Sequence, residues 1–141
     1  MQKYSYYLDL RIWHPSISPD EITRELGIQP KYAWQAGQRR KTPKGTLLDG
    51  VYRESYWSTD PFGDGEISSS AYEAEDRATE LLDILEPRRD VLLRLKSEGA
   101  RIFLQISPYS NRMYGFEFSP DFLARCAGLG ITLAFEIHST P

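Results

Sequence analysis

The sequence predicts an α+β domain built on a mainly antiparallel sheet with helices on one face. Three features carry the prediction. Residues 4–13 alternate strictly, with Tyr4, Tyr6, Leu8, Leu10 and Ile12 on one side and Ser5, Tyr7, Asp9, Arg11 and Trp13 on the other, the period of a half-buried strand. Ala74, Ala78, Leu81, Leu82 and Leu85 recur at helical spacing. There is also an internal echo: Ser18-Pro19-Asp20 leads to Leu26-Gly27-Ile28, and Ser119-Pro120-Asp121 leads to Leu129-Gly130-Ile131.

The opening strand ends at His14-Pro15. Ser18 is placed to cap a helix, Pro19 fits its first position and Glu21 completes a capping box. Ile22 and Leu26 share a face, and Gly27 stops the helix in the left-handed conformation. Residues 29–50 show no periodicity and are punctuated by Pro30, Gly37, Pro43, Gly45 and Gly50; they are read as a long irregular loop that Trp34 ties down. Val51 to Trp57 reads as a second strand, with Tyr52 and Tyr56 on one face. An exposed loop leads to Ser68-Ser69-Ser70, placed to cap a helix over 71–85. Pro87 interrupts that helix, 88–97 continues as a second helix or after a kink, and Gly99 stops it.

Ile102, Leu104 and Ile106 mark a third strand, 108–111 a turn and Met113 to Phe118 a fourth strand. A helix with Phe122, Leu123, Cys126 and Leu129 follows. The last strand sets Ile131, Leu133, Phe135 and Ile137 on its inner face. The expected architecture is ferredoxin-like or a duplicated βαβ sandwich, as a single domain over 1–141. Helix capping alone also accounts for the echo, since Ser-Pro-Asp starts helices well and Leu-Gly-Ile ends them.

The chain has 141 residues and a net charge of −3, so a generic nucleic-acid footprint is absent. Charge is unevenly placed. Lys31, Arg39, Arg40, Lys41 and Lys44 lie in a stretch without an acid, while acids dominate 54–86 with only Arg77 against them. The single cysteine, Cys126, excludes an internal disulfide, and no apolar run is long enough to span a membrane, so the expected location is cytoplasmic.

The search for chemistry excludes more than it finds. His14 and His138 are the only histidines, without metal-ligand spacing, and read as surface or capping residues. There is no Gly-x-Ser-x-Gly elbow or Gly-rich phosphate loop, and Cys126 sits on a helix stripe. No cofactor or metal is expected. Asp9 and Arg11 read as a surface ion pair, and no nucleophile, base and orienting group can be named together.

Two regions are candidate contact surfaces. One is the outward sheet face, with Tyr7, Asp9, Arg11, Trp13, Phe103, Gln105, Glu136 and His138. The other is the basic-aromatic stretch 31–44, with Trp34, Arg39 and Arg40. A competing arrangement folds 29–50 over the sheet, with Trp13, Trp34 and Trp57 as a small core.

The chain resembles a bacterial group, the domain-of-unknown-function family numbered 4279. The resemblance rests on the opening strand, Leu26-Gly27-Ile28-Gln29-Pro30, Trp34, Gly37-Gln38-Arg39-Arg40, Trp57 and the closing segment from Leu123 to Ile137. The family typically carries Gly-Asp before the basic pair; here it is Gly37-Gln38, so an acid with a role there would be missing. The resemblance implies a small bacterial cytoplasmic domain, loosely an immunity-type one, and brings no activity.

The functional expectation is therefore a binding module rather than an enzyme, with Tyr7, Arg11, Trp13, Trp34, Arg39, Arg40 and Trp57 as binding residues. A protein partner or a second copy is expected ahead of nucleic acid, and no membrane. The alternatives are RNA or nucleotide binding through 31–44, and an enzyme with an unrecognised site.

Overall fold

A computed structural model describes residues 2–138. The first strand, β1 (Ser5–His14), keeps the expected alternation, with Tyr6, Leu8, Leu10 and Ile12 buried. Helix α1 (Pro19–Leu26) follows and ends at Gly27, whose φ of 71° is the left-handed geometry expected there. The capping box does not form. Ser18 sits at the cap without a side-chain bond, and its carbonyl accepts from the Glu21 amide at 3.0 Å.

Residues 29–50 are not an irregular loop. They hold β2 (Tyr32–Trp34), β3 (Arg39–Lys41) and β4 (Leu47–Val51). β3 and β4 pair antiparallel as a separate two-stranded arm, closed by a turn in which Gly45, at φ 88°, donates to the Thr42 carbonyl. These strands are short and almost wholly exposed, so no alternation of apolar residues records them. Val51 belongs to the arm, and the next main-sheet strand is β5 (Ser55–Thr59), later than the expected 51–57.

β6 (Ile67–Ser68) precedes α2 (Ala74–Leu85). The serine cluster does not cap α2. The Tyr4 phenol does: it accepts from the Ala74 amide (3.2 Å) and donates to Glu73 (2.8 Å), and burial pushes its ionisation up to about 12. A 3-10 turn over 86–88 separates α2 from α3 (Arg89–Ser97), so Pro87 interrupts the helix as expected and a second helix follows. β7 (Arg101–Tyr109) runs through the expected turn at its end. Helix α4 (Pro120–Gly128) is capped by Ser119, whose hydroxyl accepts from the Phe122 amide at 3.1 Å. β8 (Thr132–Phe135) closes the sheet.

The main sheet has the order β2-β5-β1-β7-β8, with β6 against the start of β1. Every pairing is antiparallel except β7 with β8. Since β2 and β1 both run antiparallel to β5, they are parallel to each other. Both echo segments thus lie in βαβ units. β1–α1–β2 is split by β5, whereas β7–α4–β8 has adjacent strands.

All four helices share one core with the inner sheet face: Ile22 and Leu26, then Leu81, Leu82 and Leu85, then Leu92 and Leu95, then Phe122 and Cys126, against Leu8, Leu10, Ile12, Leu104 and Ile106. Each such aliphatic side chain contributes about 1.5–3 kcal/mol on burial. Burial also drives the Cys126 thiol up to about 11, which makes it an unreactive core residue.

Met113 to Phe118 is not a strand. Tyr114, Phe116 and Phe118 do turn inward, with Tyr114 and Phe116 stacking on Tyr4 at 5.5 and 5.0 Å, but the segment pairs with no strand. The last strand also ends early. Leu133 packs on the core, but Phe135 (45%) and Ile137 (70%) stay exposed at the sheet's edge; the Phe135 ring lies beside those of Phe116 and Phe118.

Candidate binding face

Helices cover one face of the sheet, and strand register writes the other as rows. The first row reads Trp34, Tyr56, Trp13, Arg101 across β2, β5, β1 and β7. The second reads Tyr32, Ser58, Arg11, Phe103, Thr132. The third sets Asp9 beside Gln105 and Ala134, and the fourth sets Tyr7 beside Ser107.

The first row is a continuous run of tilted and edge-on aromatic contacts. Trp13 lies 4.3 Å from Tyr56 and 6.0 Å from Trp34, and Trp34 lies 4.6 Å from both Tyr56 and Tyr52. Arg101 closes the far end, 5.6 Å over the Trp13 ring, and pairs with Glu54 at 2.9 Å. Tyr52 closes the near end and joins the stack to the arm.

The second and third rows are polar and cross-linked. Arg11 donates from Nε to the Tyr56 hydroxyl and from Nη1 to Gln105 Oε1, both at 2.7 Å. Gln105 donates in turn to Glu136 at 2.7 Å. Arg11 is thus held as a fixed fork by its neighbours, not by the Asp9 expected from sequence adjacency. Ser58 is the small residue of its row, between Tyr32 and Arg11. The tall side chains around it leave a cleft of about 200 Å³ that Asp9, Lys31 and Tyr32 also line. Burial pushes the Asp9 carboxyl above the usual carboxylate range; the nearby Asp60 pushes the same way, while Lys31 and Arg11 oppose.

Residues 3–140 match a single family along nearly the whole chain, one described as a domain of unknown function. The chain belongs to the DUF4279 family. No curated protein and no solved structure matches it. In this DUF4279 chain Gln38, at the position where the resemblance expects an acid, closes a turn: its Oε1 accepts from the Gln35 amide at 3.0 Å. The side chain there acts on the local backbone, next to Gly37 at φ 87°.

The structure brings four of the expected binding residues together. Tyr7, Arg11, Trp13 and Trp34 share the open face. Arg39 and Arg40 are on the arm, exposed, with side chains donating to the carbonyls of Leu48 and Asp49. Trp57 is elsewhere. It pairs with Ile12 on the helix side, is 0% exposed and donates to the Thr23 hydroxyl at 3.0 Å, so it offers no contact surface. Sequence reasoning set Tyr56 on the face opposite Trp57 but did not place that face outward, and it ended the strand at Trp57, before Ser58; the signal is the Ser55–Thr59 run itself. Among the other outward residues, Glu54 is engaged by Arg101, and His138 approaches Glu136 at 3.7 Å. His14 is neither a surface residue nor a helix cap: it is buried and its ring accepts from the Ser16 and Ile17 amides in the turn ahead of α1. No described helix is long and apolar enough to cross a membrane.

Proposed function

We propose that this protein is a cytoplasmic binding module whose contact surface is the β3–β4 arm and the adjoining open sheet face, and whose partner is an acidic protein. The observation that carries the reading is the arm. Every residue of β3 and β4 is exposed, and Leu47 (59%), Leu48 (36%) and Val51 (54%) stand beside Arg39, Arg40 and Lys41. An isolated two-stranded ribbon has no core of its own, so its aliphatic side chains gain burial only against something else. The cations choose the sign of that surface. They also disfavour arm-to-arm pairing of two copies, which would bring like charges together. The aliphatic residues favour protein over RNA, whose backbone would use only the cations.

The test places a photo-crosslinking residue at Leu47 in cells of the native host, with Leu123 on the exposed side of α4 as the control position. The reading expects a protease-sensitive, nuclease-resistant adduct from position 47 and none from 123. A nuclease-sensitive adduct favours the RNA alternative. Absence of any adduct specific to position 47 sinks both.

A further inference from the structure

The cleft over Ser58 differs from the rest of the open face. Around it charged and amide groups are already engaged with each other: Arg11 with Tyr56 and Gln105, Gln105 with Glu136, Arg101 with Glu54. Two charged groups lining the cleft are not. Asp9 has no hydrogen-bond or ion-pair partner among the described residues; its surroundings act on it only by burial and by charges at a distance. The Lys31 ammonium has none either, and lies over the Tyr32 ring at 5.7 Å. A free carboxylate and a free ammonium thus line one small cleft, with Arg11 Nη2 also uncommitted.

Each simpler ligand leaves something unmatched. An anion alone meets Asp9, a cation alone meets Lys31 and Arg11, and a neutral group leaves the half-buried Asp9 carboxylate without a charge-assisted bond, its only opposite charges being the exposed Lys31 ammonium and Arg11 at a distance. The volume of about 200 Å³ is below the roughly 300–1,000 Å³ of sites for drug-sized molecules, so the occupant is small. We propose that this cleft binds a small zwitterion, a free α-amino acid, whose ammonium donates to Asp9 and whose carboxylate accepts from Lys31 and Arg11. Tyr32 and Tyr56 wall the site, and Ser58 supplies its depth. The inference stands independently of the acidic partner, because the arm takes no part in it.

The test is calorimetric titration of the full chain with each of the twenty protein amino acids, at concentrations up to about 10 mM, where a weak specific site with a Kd near 1 mM still saturates. At least one amino acid should bind saturably. Its decarboxylated amine and its deaminated acid should each bind the unaltered protein at least about tenfold more weakly, since each loses one charge-assisted contact. Ser58→Val, which fills the cleft with a strand-compatible side chain, and Asp9→Asn should abolish binding. The proposal is overturned if no amino acid saturates the site, if either single-charge analogue binds as tightly as its parent, or if a folded Ser58→Val variant binds as the unaltered chain does. The analogue comparison needs no variant, so it decides the question even where a substitution fails to fold.

Discussion

The Tyr52 hydroxyl holds both backbone polar groups of Lys41: it accepts from the amide and donates to the carbonyl, each at 3.1 Å. The same ring stacks on Trp34 at 4.6 Å. One side chain therefore joins the exposed arm to the aromatic row of the sheet. Tyr52→Phe keeps the stack and removes both bonds. The expected outcome is a loss of about 0.5–1.5 kcal/mol per bond locally, read as faster amide exchange across 39–51 with a nearly unchanged global unfolding midpoint. Slower or unchanged exchange in the arm would show that the hydroxyl does not restrain it.

Trp57 and Trp13 separate core from face. Trp57→Ala leaves a large cavity under α1 and removes the donor to the Thr23 hydroxyl, which keeps its bond to the Pro19 carbonyl, with an expected loss of about 3–5 kcal/mol. Trp13→Ala removes a half-buried ring from the outer row, and less than half that loss is expected. Urea unfolding of the two variants checks the order. Equal losses would contradict the two-sided assignment.

His14 is a backbone clamp. Its Nδ1 accepts from the amides of Ser16 (3.0 Å) and Ile17 (2.9 Å), so Nε2 carries the hydrogen and donates to Glu98 at 2.9 Å. His14→Ala leaves these two amides without a partner, and a loss of about 2–4 kcal/mol is expected. His14→Asn, whose side-chain carbonyl can accept from the same amides, should recover a good part of it. Denaturation midpoints of the two variants decide this.

Asp9 carries a stability cost with a defined pH sign. Its folded-state ionisation lies above the ordinary carboxylate value, through burial first. The folded state therefore binds the proton more tightly than the unfolded state, and stability falls as pH rises through the window between the two values. Asp9→Asn should be more stable than the unaltered chain at pH 7. The difference should shrink as pH drops through that window and vanish below the ordinary carboxylate range. Melting curves of both proteins from pH 3 to 7 measure it; a variant less stable at neutral pH would show that the carboxylate is well compensated in the fold.

Much of this could be read from the chain. The β1 alternation, the Ser119 cap, the Gly27 stop and the stripe from Ala74 to Leu85 are local signals, and each appears in the structure as read. Period-2 alternation records which side chains are buried, not whether the backbone is paired. That is why Met113 to Phe118 alternates like a strand without being one, and why the exposed β3 and β4 are strands without alternating. The candidate face was half legible for the same reason. Tyr7, Asp9, Arg11 and Trp13 follow from β1 alone, whereas Tyr56, Ser58 and Tyr32 depend on which residues of three strands lie opposite one another.

By itself, then, the sequence determined the α+β class, the buried side of β1, the ends of α1 and α4 and the basic character of 31–44, because capping, periodicity and charge act over a few residues. The tertiary structure alone decided that β5 separates β1 from β2, that Trp57 enters the core while Tyr56 faces out, that a phenol from residue 4 caps a helix at residue 74, and that Asp9 and Lys31 line one cleft. Those outcomes rest on contacts between residues tens of positions apart, which no local pattern encodes.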